Sequence, residues 1–217
     1  MEPVYVLGVG MHPFGRFPDK TLNDLAEDAV SDALQDAGLR WQDIQLVYAA
    51  NGQPGQHGQR FLRGLGLNGA PIINVENACA GGSTAFFGSY AAIRAGTCDI
   101  ALAVGYEQMA RGMIGADAPR PVMTHESVNG LYAMPAMFGM VARNLMNEHG
   151  VTARDLALVS VKNHHNGVYN PRAQYRMETP VEDVLASRMI ADPLTLLMCS
   201  PTTDGAAAVV LGSRKAA

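Results

Sequence analysis

Four short, almost uninterrupted apolar runs occur in the first half of the chain, and a fifth lies near its end. The five runs cover residues 4–10, 46–51, 72–77, 100–105 and 206–212. Runs of this length and composition are typical of strands that are buried on both faces of a sheet. The pattern therefore predicts a sheet of five buried strands.

Between the first four runs, apolar residues recur at helical spacing. Helices are predicted over residues 22–37, 56–65 and 80–95. The first has the clearest limits, because Thr21-Leu-Asn-Asp24 resembles a capping box and Gly38 is a typical residue after a helix end. Strands that alternate with helices indicate an α/β fold whose sheet has helices on both faces.

A different pattern begins at Glu107 and continues to Met198. Methionine, proline and glycine are frequent there, and only two helices are predicted, over residues 135–149 and from a capping box at Thr152 to His164. We interpret residues 107–198 as a long inserted loop region that covers the ends of the strands. Residues 1–106 and 199–217 then form the α/β domain.

Composition narrows the functional classes. Of the 217 residues, 48% are hydrophobic and 17% are charged, and the formal net charge is −4. No segment is basic enough for a duplex-binding surface, which argues against nucleic acid as a partner. The first residues lack the basic flank of a signal peptide, and no apolar stretch approaches the roughly 18 residues of a membrane span. We therefore expect a cytoplasmic protein without a membrane span.

The strongest candidate for chemistry is Cys79, in the sequence Asn77-Ala-Cys-Ala-Gly-Gly-Ser-Thr84. It stands between a predicted strand and a predicted helix, where free backbone N–H groups and the helix dipole favour a thiolate. Gly81 and Gly82 leave room for a substrate to approach. A cysteine prepared in this way is suited to accept an acyl group from a thioester. The alternative from this pattern alone is an inert, small core residue.

Other reactive residue types are weaker candidates. Cys98 and Cys199 lie before the fourth and fifth predicted strands, and we interpret both as structural. The three cysteines lack the spacing of a metal site or a disulfide framework, which favours a reducing compartment. His164 and His165 suggest a metal site or a base. However, adjacent residues on a helix point in different directions, so a structural or capping role is favoured.

Six stretches, spread over nearly the whole chain, carry a resemblance to a known family. They read GVGMHPFG, PIINVENACAGGSTAFFGSYAAIRAG, ALAVGYEQMARG, MPAMFGMVARNLMNEHG, KNHHNGVYNPRAQY and CSPTTDGAAAVVL. In this order and with this spacing, they resemble the N-terminal half of a thiolase, most closely the sterol-carrier-protein and lipid-transfer-protein type.

The resemblance implies a fold and a set of site residues. The fold is a thiolase-like half, with a five-stranded mixed sheet covered by helices on both faces and a long inserted region that caps the active site. Cys79 matches the acyl-accepting cysteine, and Met137 and Phe138 match residues that line the acyl pocket. The alternative for this Met–Phe pair, near the start of an amphipathic helix, is a place in the core. The implied substrate is an acyl-CoA thioester, with no metal and no redox cofactor.

The family also has a second half, with an HEAF- or HDCF-like histidine motif and a GHPxGATG motif. Neither motif occurs in the sequence. We therefore expect either a fragment of a longer enzyme or one subunit of a split enzyme. The expected assembly is a homodimer, or a hetero-oligomer with a subunit that carries the second half.

Three functions are compatible with the sequence. The first is a thiolase-type acyltransferase that uses Cys79 for 3-oxoacyl-CoA thiolysis or for the reverse condensation. The second is a non-catalytic scaffold, or an acyl- or lipid-binding subunit, of a thiolase-like complex. The third is a subunit of a retro-aldolase that acts on an acyl-CoA and does not need Cys79. We favour the first because Cys79 and its glycines are intact.

Overall fold

The chain divides into two compact units. The computed structural model describes residues 2–53, 55, 57–109 and 133–217. One unit consists of Met1–Gln108 and Thr203–Ala217, and the other of Met109–Thr202. The first unit carries the large sheet, and the described part of the second is mainly helical.

The observed elements follow the predicted alternation. In the described residues the strands are β1 (Tyr5–Met11), β2 (Leu46–Ala50), β3 (Ile72–Val75), β4 (Ile100–Gln108), β5 (Met189–Ala191), β6 (Leu194–Thr195) and β7 (Asp204–Gly212). The α-helices are α1 (Leu22–Ala37), α2 (Gly58–Phe61), α3 (Gly81–Arg94), α4 (Met134–His149), α5 (Ala153–Val168) and α6 (Val181–Ala186). Short 3₁₀ turns lie at Trp41–Asp43, Arg63–Leu65, Ala78–Ala80 and Leu196–Met198.

The first unit is built on a mixed sheet of five strands in the order β1-β7-β4-β2-β3. β2 pairs in parallel with β3 and with β4, whereas β7 is antiparallel to β1 and to β4. The predicted fold class, a five-stranded mixed sheet with helices on both faces, is confirmed. Because β2, β3 and β4 are parallel, their carboxyl ends meet at one end of the sheet. Ligands of open α/β sheets bind at such ends.

Helix α1 covers one face of this sheet. The capping box between Thr21 and Asp24 is present, and Gly38 follows the helix with a φ of 64°, a left-handed conformation that is easy for glycine. The buried residues that α1 contributes to the core are Leu22, Leu25, Ala26, Ala29, Val30, Ala33 and Leu34. They pack with the sheet residues Val47, Ala49, Leu102, Val104, Tyr106, Ala206, Ala208 and Val210.

Strand β1 differs from the prediction of a strand buried on both faces. It is an edge strand, and Val6 and Val9 are 57% and 54% exposed. Gly8 and Gly10 are buried, and α1 lies so close that a Cβ on Gly10 would be 2.2 Å from the carbonyl oxygen of Ala29. The apolar run is misleading here because glycines, rather than the large side chains, make the buried contact.

Helix α3 covers the opposite face of the sheet. Its buried side is made mostly of small residues, with Ile93 as the one large exception, which allows a close approach. A Cβ on Gly88, for example, would lie 2.4 Å from the ring of Tyr48. The buried residues on this face are Leu46, Ala50, Ala85, Ala92, Ile93, Ala101, Ala103 and Leu211. The outward side of α3 exposes Phe86, Phe87 and Tyr90.

The second unit contains the two helices predicted for the inserted region. α4 is followed by Gly150, and α5 begins after the capping box at Thr152, as the sequence predicts. The short helix α6 and the β5–β6 hairpin were not predicted. Ala157 of α5 packs with Val181 and Val184 of α6 in the core of this unit. Among the helices of the described residues, none is long and apolar enough to cross a membrane.

Candidate active site

Cys79 lies in a sharp turn that joins β3 to α3. The 3₁₀ turn Ala78–Ala80 follows Asn77, and α3 begins at Gly81. Ala78 has a φ of 44°, a left-handed conformation that costs a non-glycine residue roughly 1–2 kcal/mol. Cys79 itself is exposed. Strained backbone conformations cluster at functional sites, so the turn at Cys79 is a candidate for one.

Side chains on both sides of Cys79 brace this turn. Glu76 Oε1 accepts a hydrogen bond from the backbone N–H of Ala78 at 2.6 Å. Asn77 Nδ2 donates to Thr84 Oγ1 at 3.0 Å, and this hydroxyl donates to the carbonyl oxygen of Ala80 at 3.0 Å. The backbone on both sides of Cys79 is therefore held by bonds between the segment that follows β3 and the first turn of α3.

The glycines after Cys79 hold the start of α3 close to the sheet. A Cβ on Gly105 of β4 would lie 3.7 Å from the Cα atom of Gly82. A Cβ on Gly81 would lie 3.4 Å from the Cβ atom of Ala50. The other side of Gly82 is open, because no atom of the described residues outside its chain neighbours and the backbone of α3 lies within 4 Å of the place where its Cβ would be. A free space therefore adjoins the first turn of α3.

The ends of β2 and β4 add polar residues that the sequence analysis does not identify. Asn51 Nδ2 donates to the carbonyl oxygen of Tyr106 at 2.5 Å, and the N–H of Gly52 donates to Glu107 Oε2 at 2.9 Å. The second oxygen, Glu107 Oε1, is buried and has no hydrogen-bond partner among the described residues. Glu107 is the last but one residue of β4, at the carboxyl end of a strand that is parallel to β2.

The other two cysteines differ from Cys79 in exposure. Cys98 and Cys199 are partly buried, and burial raises the pKa of both thiols. The carboxylate of Asp99 raises the pKa of Cys98 further. Since the thiolate is the reactive form, neither residue is set up as a nucleophile. This leaves Cys79 as the exposed thiol of the three.

Met137 and Phe138 lie near the start of α4, where they are 37% and 57% exposed. Neither side chain belongs to the core that the described residues form. Gly139, the next residue, is buried instead, and a Cβ there would lie 3.2 Å from the carbonyl oxygen of Ala191. Met137 and Phe138 belong to the second unit and Cys79 to the first.

The histidine pair takes two separate sets of partners within the second unit. His165 Nδ1 lies 2.7 Å from Glu178 Oε1, and the ring of His164 stacks on that of Tyr175 with 5.9 Å between centroids. The two histidines have different partners because adjacent residues on a helix, here α5, point in different directions. In the part of the chain that the structure describes, no three His, Cys, Asp or Glu residues form a group that could hold a metal ion.

Comparison with known families identifies the chain. The profile described as "Thiolase, N-terminal domain" matches residues 4–215. The chain belongs to the thiolase family. The resemblance based on the six sequence stretches is therefore confirmed.

Two curated relatives of this thiolase chain are considerably longer than it. An acetyl-CoA acetyltransferase of Methanothermobacter thermautotrophicus is 39% identical over 219 residues, which cover 97% of this chain and 57% of that protein. Human sterol carrier protein 2 is 38% identical over 228 residues, which cover 98% of this chain and 42% of that protein. The thiolase chain thus spans about half the length of the curated relatives it matches.

A solved structure supports the fold of the thiolase chain. The structure titled "Ltp2-ChsH2(DUF35) aldolase" superposes with a TM-score of 0.84 at 23% identity, and covers 98% of this chain and 56% of that chain. At this identity the likeness concerns the fold. The roles of Cys79, Met137 and Phe138 in this thiolase chain stay predictions.

Proposed function

We propose that this chain is the nucleophile-bearing half of a thiolase-type acyltransferase that acts on acyl-CoA thioesters. The observation that carries the proposal is the exposed thiol of Cys79 on a braced, strained turn, next to open space at Gly82. The first backbone N–H groups of α3 and its dipole favour negative charge at this position. The similarity to an acetyl-CoA acetyltransferase supports the same reaction class.

In the thiolysis direction, the thiolate of Cys79 attacks the 3-oxo carbon of a 3-oxoacyl-CoA. The bond between C2 and C3 breaks, the acyl group stays on Sγ as a thioester, and the electron pair goes to C2. Protonation of C2 then releases acetyl-CoA. The thiolate of free coenzyme A attacks the acyl group, and the Cys79 thiolate leaves. The same steps in reverse give condensation.

We assign the proton transfers and the oxyanion donors to the C-terminal half of the thiolase fold, either further along the same polypeptide or in a separate subunit. The outward face of α3 supports such a partner, because Phe86, Phe87 and Tyr90 are 41%, 68% and 40% exposed. Contiguous exposed apolar residues of this kind mark interaction surfaces. They lie on the same helix that begins at the Cys79 turn.

Met137 and Phe138 line the acyl pocket in this proposal.

The activity test compares the 217-residue chain alone with the chain assembled with the C-terminal half. Loss of a general base costs about 10²–10⁴ in rate, and loss of an oxyanion donor about 10²–10³. The chain alone should therefore show slow acyl transfer at most and no measurable thiolysis of acetoacetyl-CoA. Assembly should restore turnover, and Cys79→Ala should abolish it. Ordinary thiolase rates from the chain alone would contradict this division of roles.

The Cys79→Ala variant also distinguishes the acyltransferase from the two alternative functions, a retro-aldolase subunit and a non-catalytic subunit. Carbon–carbon cleavage that survives Cys79→Ala in the assembly would indicate the retro-aldolase function. Stable assembly without acyl transfer or cleavage would indicate a scaffold or lipid-binding subunit.

A second test concerns the apolar face of α3. Phe87→Glu should abolish association with the C-terminal half in sedimentation velocity, because a charge would be buried in the contact. Leu67→Glu is the matched control, since Leu67 is 97% exposed and lies in the loop before β3. Equal association of the wild-type chain and both variants would exclude this face as the interface.

A further inference from the structure

The carboxylate of Glu107 lies on the same side of the sheet as the Cys79 turn. Residues of a strand alternate between the two faces. Tyr106 is buried in the core under α1, whereas Gly105 faces α3 at its contact with Gly82. Glu107 is two residues after Gly105 and therefore lies on the α3 side, at the carboxyl end of β4.

The two carboxylate oxygens of Glu107 differ in their hydrogen bonding. Oε2 accepts a hydrogen bond from the N–H of Gly52, while Oε1 is buried without a partner among the described residues. The amide groups in the adjacent loop do not serve it, because Asn51 Nδ2 donates to the carbonyl oxygen of Tyr106 and Gln53 Nε2 to that of Gln108. A buried acceptor without a donor is costly, and more so when it is charged.

We propose that Glu107 Oε1 accepts a hydrogen bond from an N–H or O–H group of the C-terminal thiolase half. Glu107 is then a positioning residue that orients this group at the end of the sheet where Cys79 lies. The inference rests on the proposed function, which supplies the second half.

The chemistry of the oxygen favours a protein donor over the reacting end of the acyl-CoA. A carboxylate offers only acceptors. The reacting end of a 3-oxoacyl-CoA, with its two carbonyl oxygens and its thioester sulfur, offers only acceptors as well. The oxyanion that develops there would be repelled by Glu107. Relatives about twice as long as this chain provide a large additional surface that can contain the donor.

The test uses Glu107→Gln and a matched control, Glu27→Gln. In Glu107→Gln the amide oxygen can keep the bond to Gly52, so that an NH₂ group replaces Oε1. Glu27, on helix α1, is a matched residue because its Oε1 also accepts a hydrogen bond from a glycine N–H. The donor is Gly64, at a distance of 2.9 Å. In the chain alone, Glu107→Gln should leave the melting temperature unchanged or raise it. A larger fall than in Glu27→Gln would place the partner of Oε1 within this chain and overturn the proposal.

In the assembly, Glu107→Gln should weaken the binding of the C-terminal half and lower the activity. Loss of a hydrogen bond to a charged group should raise the dissociation constant for the C-terminal half by about tenfold or more. The kcat of the assembly should fall while KM changes little, and Glu27→Gln should change none of these values. Formate should partly restore kcat in Glu107→Ala. A dissociation constant and kcat of Glu107→Gln within twofold of wild type would overturn the inference.

The affinity measurement keeps the two proposals distinguishable. An assembly without acyltransferase activity would contradict the proposed function and leave the affinity difference to decide the role of Glu107. An active assembly that is indifferent to Glu107→Gln would contradict only the role of Glu107.

Discussion

Asn77 Nδ2 donates a hydrogen bond of 3.0 Å to Thr84 Oγ1, and this bond ties the segment between β3 and the turn to the first turn of α3 across Cys79. Because the hydroxyl of Thr84 also donates to the carbonyl of Ala80, one side chain serves both ends of the turn. The turn that carries Cys79 is thus held by side chains as well as by its backbone.

Removal of this hydroxyl should weaken the turn. Thr84→Val should lower the free energy of unfolding by about 1 kcal/mol, because it deletes the acceptor for Asn77 and the donor to Ala80. Urea denaturation followed by circular dichroism measures the change. Ser83→Ala, at the exposed neighbouring residue, is the control and should be close to neutral. Equal effects of the two changes would contradict a bracing role for Thr84.

The left-handed conformation of Ala78 should be visible in a pair of glycine variants. Ala78→Gly and Ala80→Gly add similar unfolded-state entropy, but only Ala78 has a positive φ, of 44°. Ala78→Gly should therefore be the more stable variant by about 1 kcal/mol. Urea denaturation of both proteins measures the difference. The reverse order would show that Ala78 is not strained.

Cys79 should be the most reactive thiol of the folded chain at neutral pH. It is exposed, whereas burial raises the pKa of Cys98 and of Cys199. Timed iodoacetamide labelling with peptide mass spectrometry measures the three rates, and the Cys79→Ser variant controls for labelling of the remaining thiols. Faster labelling of Cys98 or Cys199 in the folded protein would contradict the assignment of Cys79 as nucleophile.

Two glycines of α3 should respond to alanine in opposite ways. Gly88→Ala should lose about 1–3 kcal/mol of stability, because its Cβ would lie 2.4 Å from the Tyr48 ring. Gly82→Ala should be at least as stable as wild type, since its Cβ enters open space, but should slow acyl transfer to Cys79. Thermal unfolding and acylation by an acyl-CoA measure the two effects. Unchanged acylation in Gly82→Ala would mean that the open space is not used by the substrate.

The capping carboxylates should make the chain less stable in acid. Hydrogen bonds from the backbone N–H and the hydroxyl of Thr21 lower the pKa of Asp24 below 3.8. A lowered pKa in the folded state adds stability above pH 3.8 and loses it as the pH falls through the folded value. Asp24→Asn should therefore flatten the decline of the melting temperature below about pH 4. Parallel declines in wild type and Asp24→Asn would contradict the contribution of the cap.

The local patterns of the sequence predict most elements correctly. The capping boxes at Thr21 and Thr152 and the glycines at 38 and 150 lie where helices begin and end. These signals depend on residues within one helical turn, so the sequence contains all the partners they need. For the same reason the motif around Cys79 predicts its position at the start of α3, where β3 has just ended.

Features that depend on distant partners were decided by the tertiary structure. The sequence alone identifies neither the edge position of β1 nor the bond between Gly52 and Glu107, which are 55 residues apart. The same kind of apolar sequence occurs in central strands and in edge strands, and only the order of the strands in the sheet distinguishes the two positions. Likewise, Glu107 becomes a candidate only when β2 and β4 pair in parallel and bring their carboxyl ends to one end of the sheet.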